Sequence, residues 1–175
     1  MAQVSTRKIV MCALFAALTT VSTMVIQIPS PMQGYVNLGD VFVLFGAFML
    51  GPLYGTIAAG LGSMLADVLT GYMIYAPATL IIKSIMAIVA YCIFYSLKKT
   101  LKINAIASVL AGIVAELIMV SGYFLYAALL MREGWAAAAS IPGNLVQGAV
   151  GVVVSTLLVV AFSKLKYFNK DEEER

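Results

Sequence analysis

The sequence contains no histidine, only two cysteines and one tryptophan, and just 11% charged residues. Without histidine, the commonest general base and metal ligand is gone. Cys12 and Cys92 stand singly inside apolar runs and form no CxxC pair. A disulfide framework and a zinc site are therefore not expected, and both thiols read as small buried hydrophobes. No GxxxxGK[ST] loop is present to cradle ATP phosphates, and neither HExxH nor a nucleophile elbow offers hydrolytic chemistry. The chain is not expected to be an enzyme. The shortage of charge says more. A soluble domain of this length carries roughly 25% charged residues, whereas this chain is 62% hydrophobic with a mean hydropathy of +1.00. The expected class is an all-α integral membrane protein. The net charge of +3 gives no reason to expect nucleic acid, because the basic residues sit at segment ends with no interleaved aromatics.

What is present is a series of long apolar runs. A helical span needs about 20 mostly apolar residues, and residues 7–27, 77–97, 104–130 and 141–164 each supply one. The first run continues uncharged from Ile9 to Val36, longer than a signal-peptide core, and reads as a retained span. Between Asp40 and Asp67 an uncharged stretch is interrupted by Gly51-Pro52-Leu53-Tyr54-Gly55. It is either one kinked helix or two short ones, 35–50 and 53–70. Charge asymmetry decides between them. With two spans the chain crosses six times, and Arg7, Lys8, Lys98, Lys99, Lys102, Lys164, Lys166, Lys170 and Arg175 share one side, leaving Arg132 on the other. The positive-inside rule then places both termini in the cytoplasm. The whole chain, 1–175, reads as a single transmembrane domain ending in a charged cytoplasmic tail at 165–175. No repeat relates its halves, so an inverted-repeat transporter is not supported.

This topology gives each polar residue a depth. The segment APATLIIKSIMAIVA (76–90) carries Lys83 about two turns below the outer end of the fourth span. Glu116 lies near the middle of the fifth span, with Tyr123 seven residues on and on the same face. Asn144 and Gln147 share a face in the first turns of the sixth. Asp67 ends the third span, Tyr72 and Tyr75 occupy the following outer loop, and Trp135 precedes the sixth span as either an anchor or part of a closure. Gly148, Gly151 and Ser155 allow close packing along the sixth span. Lys83 has three readings: snorkelling to the headgroups, pairing with Glu116, or meeting a ligand. Glu116 is too deep to snorkel and needs a partner, a proton or a water-filled cavity. One cation, one anion, two amides and several tyrosines on one side suit a pocket for a small polar aromatic molecule, open to the outside.

The order of several motifs resembles the substrate-binding S component of energy-coupling-factor (ECF) vitamin transporters. They are Ala13-Leu14-Phe15-Ala16-Ala17, Asn37-Leu38-Gly39-Asp40, Gly51-Pro52-Leu53-Tyr54-Gly55 and Ser63-Met64-Leu65-Ala66-Asp67. Gly71 through Thr79 then leads into Lys83, and Pro142-Gly143-Asn144-Leu145-Val146-Gln147 opens the last span. The resemblance covers nearly the whole chain. It implies a pocket in the outer half, with Lys83, Glu116, Asn144, Gln147, Tyr123, Tyr75, Tyr72, Asp67, Thr79 and Asn37 as its candidate residues. It also implies an AxxxA ridge at Ala13 and Ala17, widened by Ala16 and Thr20, that docks on a transmembrane T component. Two partner ATPases would hydrolyse ATP, with no cofactor in this chain, in the plasma membrane of a prokaryote. A pyridoxine- or hydroxymethylpyrimidine-like vitamin is favoured over riboflavin, since tyrosines would stack on a ring while amides and charges read its polar groups. The alternatives are a solitary ion-coupled transporter with Glu116 as its protonation site, and a non-transporting scaffold.

Overall fold

A computed structural model of the chain describes residues 6–30 and 34–163. The lysines beyond residue 163 and the acidic tail lie outside the described residues. Among the described residues, five helices are long and apolar enough to cross a membrane. They are α1 (Thr6–Val25), α2 (Gly39–Thr70), α3 (Ala76–Leu101), α4 (Asn104–Leu125) and α5 (Ile141–Phe162). A π turn, Tyr126–Leu130, extends α4, and a 3₁₀ segment, Gly134–Ser140, leads into α5. Large apolar side chains such as Leu69, Ile81, Leu117, Val153 and Leu157 face outward. Outward-facing apolar residues on every long helix suit lipid rather than water.

The expected first two spans differ from what the chain does. Residues 27–29 are not the end of a helix, and residues 35–37 do not begin one. They form β1 (Gln27–Pro29) and β2 (Tyr35–Asn37), an antiparallel ribbon with Ile28 opposite Val36. Its absence of charge made this segment look like membrane span. Cys12 is buried as expected, but Cys92 is exposed on α3, so only one thiol belongs to the core.

α2 is broken at Gly51, whose φ of 81° and ψ of −177° belong to a region open essentially to glycine alone. Pro52 follows directly and removes one helix donor. The chain reverses there. A Cβ added to Gly55 would come 2.8 Å from the Cα of Ala47, although eight residues of straight helix rise about 12 Å. The contacts with α1 show both directions. Going up α1, Cys12 donates to the Tyr54 carbonyl and Thr20 to the Gly62 carbonyl, while Phe15 packs on Gly46 and Thr23 on Gly39. The arm 52–70 thus runs parallel to α1 and the arm 39–50 antiparallel to it.

Small residues let these helices close up. A Cβ on Gly62 would come 2.6 Å from the Ala16 carbonyl oxygen, and one on Gly112 would come 3.0 Å from Val152. In lipid this close approach replaces the hydrophobic drive that packs helices in water. Leu44, Met86 and Met119 fill the centre with no exposed surface. Thr20 turns inward to its two carbonyl partners, so it is not part of an outer ridge. Ala13 and Ala17 do face outward.

Gly51→Ala should destabilise the protein by about 1–3 kcal/mol, because alanine cannot take this backbone conformation without strain. Thermal unfolding in detergent, followed by circular dichroism, measures it. An unchanged midpoint would mean the turn tolerates a Cβ.

Candidate functional site

The bundle end holding the ribbon, the Gly71 turn and the start of α5 contains a cleft with about 620 Å³ of empty space, its open mouth and the solvent there included. The connections 26–38, 71–75 and 126–140 all lie at this end, and residues far apart in sequence meet there. At its floor Lys83 of α3 forms an ion pair with Asp40 of α2. Lys83 is only 3% exposed and Asp40 1%. Neither open reading of Lys83 as a snorkelling residue or as the partner of Glu116 survives. Its partner is Asp40, in the first turn of α2, and its ammonium also lies 5.6 Å from the centre of the Tyr123 ring.

The second oxygen of Asp40 is taken as well. Gln147 of α5 donates its amide to Oδ2 at 2.5 Å. The Gln147 carbonyl oxygen accepts from the Asn37 backbone at 2.8 Å and from the Asn37 side chain at 3.2 Å. Asn37 Oδ1 then accepts from the Gly39 N–H at 2.8 Å, which caps the start of α2. One carboxylate therefore links α2, α3, α5 and the ribbon. A lone charge at a helix centre costs about 2.5–3.5 kcal/mol to insert, and the sequence meets that cost with a matched pair.

A second polar group lies across the cleft. Tyr35 of β2 donates to Asp67 Oδ1 at 2.5 Å, and Tyr72 packs against the Tyr35 ring at 4.6 Å. Burial and the Asp67 carboxylate push the Tyr35 phenol well above its ordinary range. Tyr123 donates to Thr79 at 3.0 Å. Tyr75 sits between Tyr123 and Tyr126, with ring centres 6.4 Å and 5.5 Å away, and its phenol is pushed up to about 12, mainly by burial.

Of the residues expected at a site, Asn37, Asp67, Tyr75, Thr79, Lys83, Tyr123, Asn144 and Gln147 line this cleft. Tyr72 stands behind Tyr35 rather than on the wall. Glu116 does not line the cleft either. It is 5% exposed, with neither oxygen hydrogen-bonded among the described residues, and it packs on Gly148 and Gly151 behind Asp40. Trp135 is 88% exposed, with its ring centre 6.4 Å from that of Phe124 and the two rings tilted. Sequence reasoning missed Asp40 as a partner, and also Tyr35, Ser30 and Ser63. The pair Ser63 and Asp67, four apart on one helix face, was the available signal. Among the described residues no group of three or more acidic or cysteine side chains could hold a metal ion.

Fold and cleft together define a multi-pass helical membrane protein with a polar cleft at one end of its bundle. A model of the family described as "ECF-type riboflavin transporter, S component" matches residues 3–164. The chain belongs to that family of transport subunits. It is 36% identical over 136 residues to a Pyrococcus woesei protein described as "Uncharacterized protein in gap 3'region", covering 77% of this chain and 87% of the relative. A solved structure described as "Structure and mechanism of the S component of a bacterial ECF transporter" superposes with a TM-score of 0.67 at 22% identity, covering 90% of this chain and 95% of the other. At that identity the likeness is one of fold.

Lys83→Met and Asp40→Asn should each destabilise the ligand-free protein by about 3–5 kcal/mol, since each strands a buried charge or its partner. The double variant should recover part of the loss, and more than Glu116→Gln recovers when combined with Lys83→Met. Melting temperatures of the singles and doubles test this. Coupling of Lys83 to Glu116 but not to Asp40 would refute the pairing.

Proposed function

We propose that the chain captures a small heteroaromatic vitamin in this cleft and hands it to a transport machine built from a T component and two ATPases. The observation that carries the reading is a set of polar atoms without partners. Ser30 Oγ, Ser63 Oγ and Asp67 Oδ2 are buried and unpaired among the described residues, and all three residues line the cleft. Leaving such a group unpaired costs about 1–3 kcal/mol, and a polar ligand would satisfy all three at once. The rings of Tyr35, Tyr75 and Tyr123 offer faces for an aromatic ligand. The family description favours riboflavin, whose hydroxylated tail suits the serine and threonine wall. Pyridoxine and hydroxymethylpyrimidine, favoured by the sequence alone, come second.

In this reading the chain crosses a prokaryotic plasma membrane six times, the two arms of α2 counting separately, with both termini in the cytoplasm. Arg7, Lys8, Lys98, Lys99 and Lys102 gather at the end of the bundle opposite the cleft, and Arg132 lies at the cleft end. This asymmetry supports a cleft that opens outward. A cysteine placed at Gly134 should react with an impermeant thiol reagent from outside, and one at Lys99 only after permeabilisation. The exposed native Cys92 is first replaced by serine. External reaction at both sites would refute the topology.

Ala13 and Ala17, with Leu14 and Val21 beside them, form an outward face of α1 free of bulky side chains at its centre. Two alanines four apart let another helix approach closely, which suits docking on the T component. Titration calorimetry with riboflavin, pyridoxine and hydroxymethylpyrimidine tests capture. Uptake in cells with and without co-expressed T component and ATPases tests coupling. Ala17→Leu should abolish uptake and leave binding within about twofold, because Ala17 faces outward from α1, away from the cleft. Uptake without ATPases that an uncoupler abolishes would favour an ion-coupled transporter instead, with Glu116 as the protonated group.

A further inference from the structure

Among the described residues, two charged side chains line the cleft, Lys83 and Asp67. Their situations are opposite. The ammonium of Lys83 is already held by Asp40, itself fully enclosed and supported by Gln147. The cation brings no net positive charge to the floor. Asp67 is in ion-pair contact with no cation among the described residues, and Lys83 acts on it only from a distance. It is 3% exposed, and Tyr35 occupies its Oδ1. Thr79 is close to the carboxylate, but no donor among the described residues reaches Oδ2 within hydrogen-bonding distance. Thr79 also accepts the Tyr123 hydroxyl. Ser63, one turn earlier on the same face of α2, presents a second unpaired oxygen to the same space.

From this arrangement we infer that Asp67 is the specificity-determining residue of the cleft: its free Oδ2 takes a hydrogen from an uncharged ligand and excludes phosphorylated or carboxylated ones. The inference rests on the reading of the cleft as a vitamin site, and it specifies which form of the vitamin enters. A ligand N–H or O–H directed at Oδ2 makes a charge-assisted bond in a site shielded from water. An anionic group in the same place meets a carboxylate and finds Lys83 neutralised, so it loses its hydration without gaining a counter-charge. Lys83 keeps its pair with Asp40 and offers the ligand a hydrogen rather than a charge. This changes the role that the sequence suggested for it, from charge partner to neutralised donor.

The test uses matched probes that differ only by a phosphate: riboflavin with flavin mononucleotide, and pyridoxine with pyridoxine 5′-phosphate. Each is titrated into the full-length protein in detergent. The uncharged member should bind more tightly by at least about 100-fold. Asp67→Asn keeps the shape but removes the charge. It should weaken the uncharged probe about 10- to 100-fold and narrow the gap to the phosphorylated one. Asp40→Asn should narrow the gap from the other side, by freeing the Lys83 ammonium and tightening the phosphorylated probe about tenfold or more. Wild-type protein that binds both members of a pair equally overturns the inference while leaving vitamin capture intact. So does an Asp67→Asn protein with wild-type affinities for both. Failure of every probe to bind the wild type overturns the vitamin reading, and this inference falls with it. The wild-type comparison does not depend on any variant folding.

Discussion

The arrangement of this bundle depends on one buried ion pair. Lys83 and Asp40 are 43 residues apart in sequence and meet where both are almost fully enclosed, 3% and 1% exposed. Apolar surfaces in a bilayer have many ways to pack, because lipid is as apolar as leucine. A cation and an anion in the same medium have very few. Each is costly alone, and only the placement of α3 against the first arm of α2 satisfies both. The pair acts as a register pin. Gln147 then fixes the depth of α5, and Asn37 fixes the ribbon to α5 and to the first turn of α2. A network in which every member is satisfied rigidifies its surroundings. The walls of the cleft are the helices that this network locks.

Against that locked floor, the opposite wall keeps unpaired atoms. Ser63 and Asp67 stand on the second arm of α2, and Ser30 follows β1. In the proposed reading this division is functional: a fully paired region sets shape, and an under-paired region takes the ligand. Glu116 belongs to neither. Its carboxyl is packed against Gly148 and Gly151 on the far side of Asp40, outside the hydrogen-bond network. The structure leaves it adjacent to the pin but not part of it.

Much of the helix pattern was legible in the residues, because uncharged runs of about 20 residues have few other uses. Gly51-Pro52 marked the reversal inside α2, since only glycine takes that backbone conformation and proline cannot continue the ladder. The ribbon was not legible. Its strands are three residues each and sit in a run without charge, so nothing separates them from membrane helix. The partner of Lys83 was hidden for a different reason. Charge asymmetry and span length give a residue its depth, not its bearing around the helix axis or the identity of its neighbours. Glu116 and Asp40 were both acceptable anions by sequence. Only the packing of α3 against α2, set by close contacts such as Gly60 on Leu80 and Ser84, selects Asp40.

The reversal at Gly51 also sets a distance. The first arm of α2 runs from Gly39 to the turn in 12 residues, 39–50, or about 18 Å at 1.5 Å per residue. The hydrocarbon core of a bilayer is about 30 Å thick. In the proposed topology, with the turn at the membrane face opposite the cleft, Asp40 and the floor above it would lie about 12 Å inside the membrane from the cleft side. Water and polar side chains would then replace lipid over that depth, and a molecule resting on the floor would have covered more than a third of the hydrophobic barrier before any partner acts.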